Sequence, residues 1–344
     1  MRTLTYHRAI DEATLQCMAA DPRIFVAGQA VNDRKGIYGT TVDTMRRFGA
    51  SRVIDVPNCE TAFAGIAVGA ASRGMRPLVV YARDDFMFLA MDAIFNLAAK
   101  WRYMYGGDQG VPVVFRGVVG HGWGQGATHS QSLQSIFGHF PGLHVVTPAS
   151  PADAKGLMVS ALTGDSPVVV LENRGLYEVE GEVPEEPVPV PIGRGRIVRA
   201  GDDVTIVAAS LMVREAERAA EALAARGVAA EVVDLRTIRP LDEEIICASV
   251  AKTGRLVVAD TSWARFGVSA EVAAVVAERM PQVLRAPVRR VTPPDCPSPV
   301  SRPLEQAFNP DAGDIVRACL AVLGVTDEVA VYEDELAAGF IGPY

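Results

Sequence analysis

Residues 53–81 contain two apolar runs with a helix-like segment between them: Val53-Ile54-Asp55-Val56, then Thr61-Ala62-Phe63-Ala64-Gly65-Ile66-Ala67-Val68-Gly69-Ala70-Ala71-Ser72, then Leu78-Val79-Val80-Tyr81. Continuous β-branched runs of this length are typical of parallel strands that are covered on both faces. The same alternation extends outward, with strands predicted at residues 24–27, 111–115 and 168–171 and helices at 88–99 and 151–162. This βαβα order predicts a mainly parallel sheet flanked by helices.

The alternation stops at residues 178–191, where four prolines and five glutamates occur within fourteen positions. Such a segment suits neither a helix nor a central strand, so we expect an extended linker over residues 178–194. A second unit follows, with strands at residues 204–208, 231–234 and 256–258, a helix capped by Ser210 that ends at Gly227, and a helix at 269–280. We therefore predict two α/β domains, residues 1–177 and 195–325, and an irregular tail at 326–344.

The composition is that of a globular protein and argues against nucleic-acid binding. The chain has 344 residues, of which 49% are hydrophobic and 22% charged, as in ordinary globular proteins of about two domains. The 41 acidic residues exceed the 33 basic ones, which leaves a formal net charge of −8 without any basic cluster. Nucleic-acid binding is therefore not expected.

The cysteines and the apolar segments indicate a compartment. Five cysteines are widely spaced and form no CxxC pair, which argues against a disulfide framework or a zinc site and favours a reducing environment. The first residues lack the apolar core of a signal peptide, and the longest small apolar stretch, residues 63–71, is far too short to span a membrane. We expect a cytoplasmic protein.

Glu60 is the first candidate for a chemical role. It follows a predicted strand and precedes a predicted helix, and open α/β sheets bind ligands at the carboxyl ends of their strands. The helix behind it is rich in small residues, so that another element could approach its backbone closely. The alternative is a first-turn glutamate that only complements the helix dipole.

His129 is the second candidate. It ends a glycine-rich run, Gly120 to Thr128, in which glycines at alternate positions allow a tight bend near a ligand. A histidine there can exchange protons near neutral pH. His121 and His139 are alternatives, and local physics alone does not choose among the three.

Phe86 follows a third strand end, directly after Asp84-Asp85. Its ring could stack on an aromatic ligand, or it could be an ordinary core residue with an aspartate as helix cap. The sequence has no GxxxxGK[ST] loop, no GxSxG and no HExxH, and no GxGxxG links a strand to a helix. Common nucleotide-binding and hydrolase functions therefore have little support.

At these residues the sequence resembles the beta subunit of the thiamin-diphosphate-dependent 2-oxo acid dehydrogenases, over about residues 4–322. The resemblance implies a transketolase-like pyrimidine-binding domain at residues 1–177 and a transketolase C-terminal-like domain at 195–325. It rests on many blocks in order: Glu60-Thr61-Ala62-Phe63-Ala64-Gly65, Val113-Val114-Phe115-Arg116-Gly117, His129-Ser130-Gln131-Ser132, His139-Phe140-Pro141-Gly142-Leu143, Ala152-Asp153-Ala154-Lys155-Gly156-Leu157, Pro167-Val168-Val169-Val170-Leu171-Glu172-Asn173, Asp234-Leu235-Arg236-Thr237-Ile238-Arg239-Pro240 and Phe266-Gly267-Val268-Ser269-Ala270-Glu271.

The resemblance implies roles for the three candidates. Glu60 matches the glutamate that hydrogen-bonds the aminopyrimidine ring of the cofactor, where a shared proton favours the imino form that activates the thiazolium carbon. Phe86 matches the aromatic residue that packs against this ring. His129 matches the histidine that takes part in acyl transfer to lipoamide.

The resemblance also implies partners. The GDG…NN motif that binds magnesium and the diphosphate is absent from this chain, and in the family it belongs to an alpha subunit. The implied enzyme is an α2β2 heterotetramer in which thiamin diphosphate is shared between the subunits and Mg²⁺ lies on the alpha subunit. The implied acyl acceptor is a lipoylated dihydrolipoyl acyltransferase, with the second domain contributing to assembly and docking.

A structural potassium ion is a further implication. In the family, main-chain carbonyls bind this ion, and the matching positions are Val113, Ala161, Leu162, Gly164 and Ser166. Because backbone oxygens supply most of these ligands, the side chains neither support nor exclude the site.

Four features depart from the family pattern. Gln29, a cofactor-site position, stands where these subunits commonly have a glutamate that relays protons between the paired active sites. An amide cannot relay protons as a carboxylate can. Charged residues at 83–85 precede Phe86, Trp123 adds bulk before His129, and Asp260-Thr261-Ser262 replaces a more acidic, glycine-containing segment. These differences indicate an unusual substrate or a specialised pathway.

Two other functions remain open. One is a two-subunit thiamin-dependent decarboxylase or carboligase of transketolase type that does not use lipoamide. The other is a scaffold subunit without a catalytic role. The sequence does not identify the 2-oxo acid.

Overall fold

A computed structural model of the chain describes residues 1–33, 35–120 and 124–325. These residues form two compact units, one of Met1–Val119 with Ile136–Ile192 and one of Gly120–Ser135 with Gly193 onwards. Residues 120–135, which we expected in the first domain, thus pack with the second unit. The predicted tail at 326–344, His121 and Trp123 lie outside the described residues.

The first unit is built on parallel strands, as its apolar runs predict. The strands are β1 (Arg2–Thr5), β2 (Ile24–Gly28), β3 (Val53–Asp55), β4 (Arg76–Tyr81), β5 (Val114–Val119), β6 (His144–Val146), β7 (Val168–Asn173) and β8 (Glu180–Val183). Six of them run in the order β6-β7-β5-β4-β2-β3, all parallel, and an antiparallel pair of β1 and β8 lies apart from them.

The helices of the first unit alternate with these strands. They are α1 (Tyr6–Ala20), α2 (Gly36–Gly39), α3 (Val42–Phe48), α4 (Glu60–Ser72), α5 (Trp101–Met104), α6 (Gln134–His139) and α7 (Pro151–Thr163). The first two residues of α6 belong to the segment that packs with the second unit. The predicted helix at residues 88–99 is instead a 3-10 helix, Asp84–Ala90, and a π-helix, Asp92–Ala98. Buried Asp84, Met87 and Ala90 recur every three residues, and a 3-10 helix places this spacing on one face.

The second unit also has helices and strands in alternation. Its helices are α8 (Leu211–Ala224), α9 (Glu243–Thr253), α10 (Val268–Arg279), α11 (Arg302–Phe308) and α12 (Ala312–Leu323), and its strands are β9 (Arg196–Arg199), β10 (Val204–Ala208), β11 (Ala230–Asp234), β12 (Thr237–Arg239), β13 (Leu256–Ala259) and β14 (Arg289–Val291). A five-stranded sheet has the order β14-β13-β10-β11-β9, with β9 antiparallel at one edge. Ser210 occupies the N-cap position of α8, but its side chain makes no capping hydrogen bond.

Candidate active site

Glu60 lies at the start of α4, just beyond the end of β3. Its side chain is buried, and Oε1 accepts a hydrogen bond of 2.7 Å from Nε2 of Gln29. Gln29 directly follows β2, which is the parallel neighbour of β3. Because the carboxyl ends of parallel strands meet at one edge of the sheet, residues 31 positions apart come into contact.

Two further residues join this polar group. Nε2 of Gln29 also donates to Oδ1 of Asn58 at 3.1 Å. Tyr81, the last residue of β4, is fully buried, and its ring lies 5.2 Å from that of Phe63. Burial first, and then the charge of Glu60, raise the pKa of the Tyr81 hydroxyl, so that Tyr81 keeps its proton. Tyr81 was not among the residues predicted from the sequence, although its position at a strand end is the signal that singled out Glu60.

Phe86 lies half-buried in the 3-10 helix of the same unit. The charged residues before it are buried as well: Arg83 is 2% exposed, Asp84 0% and Asp85 8%. Burial lowers the pKa of Arg83, and the charges of the two aspartates partly oppose this shift. The charge that the sequence places beside Phe86 is therefore internal to the first unit.

The helix α2, in the same unit, has an unusual backbone conformation. Ile37 and Tyr38 have φ angles of 39° and 63°, a left-handed conformation that is rare outside glycine. The Tyr38 ring lies 3.6 Å from the Arg174 guanidinium carbon, close enough for a cation–π contact. Strained non-glycine residues of this kind cluster at functional positions. No local sequence signal indicated them.

His129 belongs to the second unit, whereas Glu60, Gln29 and Phe86 belong to the first. The His129 ring is half-buried, with Nδ1 2.8 Å from the Thr128 hydroxyl. Gly126 has φ +66°, and an added Cβ would lie 2.8 Å from a Val300 methyl group, so a side chain is excluded there for both reasons. The alternative His139 is exposed, with its ring edge-on to Phe140 at 5.5 Å.

A buried hydrogen-bond group fixes the segment that carries His129 to the rest of the second unit. Nε2 of Gln134 donates to Oδ1 of Asp260 at 2.7 Å, and Asp260 also accepts from the backbone and hydroxyl of Ser262. Asp260 is 1% exposed. Burial raises its pKa above the usual 3.8, while the hydrogen bonds from Ser262 and Gln134 act in the opposite direction.

We expect Asp260→Asn to leave the free energy of unfolding at pH 7 unchanged or raised by about 1 kcal/mol, since it removes a buried charge and can keep all three hydrogen bonds if the Ser262 hydroxyl reverses. The raised pKa means that folded Asp260 takes up its proton first as the pH falls. The advantage of the Asp260→Asn variant should therefore be greatest above the folded pKa of Asp260 and shrink toward pH 3.8. Urea unfolding at pH 7 and pH 4.5 measures both.

Gln134→Leu is the companion variant to Asp260→Asn. It leaves the buried Asp260 carboxylate with one donor fewer, so we expect a loss of about 1–3 kcal/mol in the free energy of unfolding. A larger loss for Asp260→Asn than for Gln134→Leu would contradict this account of the group.

The residues matched to a potassium site belong to the first unit, where Val113 directly precedes β5 and the other four lie at the end of α7 or just beyond it. The Leu162 carbonyl accepts a hydrogen bond of 2.9 Å from Arg76, and the same guanidinium donates to the Gly164 carbonyl. The Val113 carbonyl accepts from the backbone of Val168 at 3.0 Å. A cation bound there would share two of its ligands with a fixed positive charge.

Comparison with known proteins identifies the domains. The transketolase pyrimidine-binding domain matches residues 2–180, and the transketolase C-terminal domain matches residues 193–315. A solved structure described as a split gene transketolase in an inactive beta4 tetramer is 26% identical, with a TM-score of 0.77 over 94% of this chain and 99% of that one. The predicted two-domain α/β fold is confirmed.

Two curated relatives are similar along almost their whole length. The beta subunit of the acetoin:2,6-dichlorophenolindophenol oxidoreductase of Cupriavidus necator is 42% identical over 327 residues, covering 92% of this chain and 96% of that protein. The pyruvate dehydrogenase E1 component subunit beta of Rickettsia bellii is also 42% identical, over 315 residues, 92% of this chain and 97% of that protein.

These matches define a two-domain α/β protein of the transketolase type. The chain belongs to the family of the beta subunits of the pyruvate and acetoin dehydrogenases. The resemblance read from the sequence is confirmed. Among the described residues, no helix has the length and apolar character that crossing a membrane requires.

Proposed function

We propose that this chain is the beta subunit of a thiamin-diphosphate-dependent 2-oxo acid dehydrogenase, which decarboxylates a 2-oxo acid and passes the acyl group to a lipoyl protein. The observation that carries the proposal is the Glu60 carboxylate, buried at the first turn of α4 and held there by Gln29. A buried carboxylate at a strand end is suited to share a proton with a ring nitrogen.

The residues of the first unit fit the pyrimidine half of the cofactor. Glu60 would hold and move a proton at the ring nitrogen, and the half-buried Phe86 would pack on the ring. Thiamin diphosphate, when bound, supplies the electron sink for the decarboxylation. His129 would exchange the proton needed in acyl transfer.

The diphosphate and Mg²⁺ would be held by an alpha subunit, in an α2β2 heterotetramer. The exposed face of α4 supports this assignment, because no other described residue covers the small and apolar residues there. Ile66 is 70% exposed, and an added Cβ at Gly65 or Gly69 would meet no atom within 4 Å. Leu89, on the adjoining 3-10 helix, is 60% exposed. Such a surface suits close approach by another helix.

We expect Gly69→Leu to leave the isolated chain folded and at least as stable, since the position is open and Leu favours helix over Gly. In contrast, added bulk at a close helix contact should weaken assembly with the alpha subunit at least about tenfold. Titration of the alpha subunit with each variant, followed by analytical ultracentrifugation, measures the affinity of assembly. Ala224→Leu, on the exposed end of α8, is the matched control. Equal assembly of both variants would exclude α4 as the partner face.

Membership of the family supports a lipoylated acyltransferase as the acyl acceptor. The cytoplasm is supported by the five cysteines, all of which are free thiols. Potassium binding stays a prediction, and no step of the proposed function depends on it. Two of the predicted carbonyl ligands already accept hydrogen bonds from Arg76.

Reconstitution with the alpha subunit tests the proposal. The assembled enzyme should reduce an artificial electron acceptor with a 2-oxo acid and should acylate a lipoylated protein. The split gene transketolase likeness favours a second candidate, a carboligase of the transketolase type. Carboligation without lipoyl acylation would establish that candidate and reject the first.

A further inference from the structure

The hydrogen bonds of Gln29 define the orientation of its side-chain amide. Nε2 donates to Glu60 at 2.7 Å and to Asn58 at 3.1 Å, and the backbone N–H donates to the Val80 carbonyl at 3.2 Å. The residue is 9% exposed. An amide group has two hydrogens on its nitrogen, and both are used here.

The oxygen of the same amide is an acceptor that is not used. Oε1 of Gln29 is buried and has no hydrogen-bond partner among the described residues. A flip of the amide would turn Oε1 toward the Glu60 carboxylate and bring two acceptors together, which is unfavourable. The observed orientation is therefore the one that the carboxylate selects.

A donor of this kind fixes the orientation of the Glu60 carboxylate. An amide remains a donor at every working pH. If residue 29 were a carboxylic acid at the same distance, the two carboxyl groups could not both ionise and would share one proton. Above the pH at which that proton leaves, the donor would be lost and two charges would face each other.

We propose that Gln29 is a positioning residue that holds the Glu60 carboxylate in one orientation, with the second carboxylate oxygen left for the cofactor. This inference rests on the proposed function for its consequence in catalysis. Its electrostatic part concerns the chain alone.

Few titratable groups lie on the described elements that pack against α4. The elements packed against α4 are β4, the 3-10 helix and the π-helix, and they carry Arg76, Tyr81, Asp84, Asp85 and Asp92. Tyr81 interacts with Glu60 and stays protonated through the working range. The pH dependence that a carboxyl at position 29 introduces is therefore separable from the existing groups by comparison with the wild-type chain.

The first test is Gln29→Glu in the isolated chain. A shared proton raises the pKa of the folded pair, so stability relative to wild type should be nearly unchanged at pH 5 and fall as the pH rises to 8.5. Thermal unfolding across this range measures it. An unchanged pH dependence of the melting temperature would overturn the inference, whatever the activity of the enzyme.

The second test uses the assembled enzyme. For Gln29→Glu, kcat/KM should be within about threefold of wild type at pH 6 and about tenfold or more lower at pH 8.5, as the shared proton leaves. Gln29→Leu, which removes the donor without adding charge, should lower kcat about tenfold at both pH values and weaken thiamin diphosphate binding, followed by fluorescence quenching. Wild-type kcat and cofactor affinity in Gln29→Leu would reject the positioning role.

The matched control is Gln16→Glu on α1, where the Gln16 amide donates to the Glu12 carboxylate at 3.3 Å. This variant also pairs two carboxyls, but away from Glu60, so the pH profile of kcat/KM should match wild type. A shift equal to that of Gln29→Glu would show that the effect is not local and would overturn the inference. An inactive wild-type reconstitution would instead reject the proposed function and leave the stability test standing.

Discussion

Glu60→Gln should lower kcat of the assembled enzyme by about 10²–10⁴-fold, which is the range for loss of a proton-transfer group. Glutamine keeps an oxygen that can accept from Gln29, and it removes the group that shares a proton with the cofactor ring. The melting temperature of the isolated chain should change little, since a buried charge is replaced by an amide of the same shape. Steady-state kinetics with an artificial electron acceptor measures the loss.

Glu178→Gln is the control for this substitution, because the Glu178 side chain is 81% exposed on the same unit. We expect its kcat to equal that of wild type. Full activity in Glu60→Gln would establish the scaffold role for this subunit and reject a catalytic one. A loss of activity accompanied by unfolding would likewise contradict the prediction.

Arg116→Met should destabilise the chain by about 3–5 kcal/mol, because it leaves a buried carboxylate without its counter-charge. Arg116 on β5 and Glu172 on β7 form an ion pair whose side chains are both 0% exposed. The hydroxyl of Tyr177 donates to Oε2 of Glu172 at 2.9 Å. Burial and the charge of Glu172 raise the pKa of Tyr177, so this donor stays protonated.

The loss in Arg116→Met should depend on pH in a defined direction. Without Arg116, an ionised carboxylate at Glu172 is buried without its counter-charge, so the penalty should be largest at neutral pH and smaller in acid, where protonation removes the buried charge. Urea unfolding at pH 7 and pH 5 measures both. Arg102→Met removes an exposed partner of Asp165 and should cost less than about 1 kcal/mol. Equal losses for the two variants would refute the assignment of Arg116 to a buried pair.

Local sequence patterns predicted much of the fold. The strand predicted at residues 204–208 is β10, and the helices predicted at 61–72 and 151–162 differ from α4 and α7 by one residue each. Six short strands were missed, since three or four residues carry little periodicity: β1, β6, β8, β9, β12 and β14. The helix expected at 88–99 was wrong, because apolar composition does not distinguish an α-helix from 3-10 and π geometry.

For the candidate site too, the sequence determined some features and the tertiary structure determined others. The sequence by itself determined that Glu60 stands at a strand end before a helix, since that position follows from the local run of residues. Only the tertiary structure decided that Gln29 donates to Glu60, that Tyr81 lies near it, that Arg116 pairs with Glu172, and that residues 120–135 pack with the second unit. The reason is physical: local periodicity specifies each element, whereas the order of strands in a sheet depends on burial summed over the whole domain.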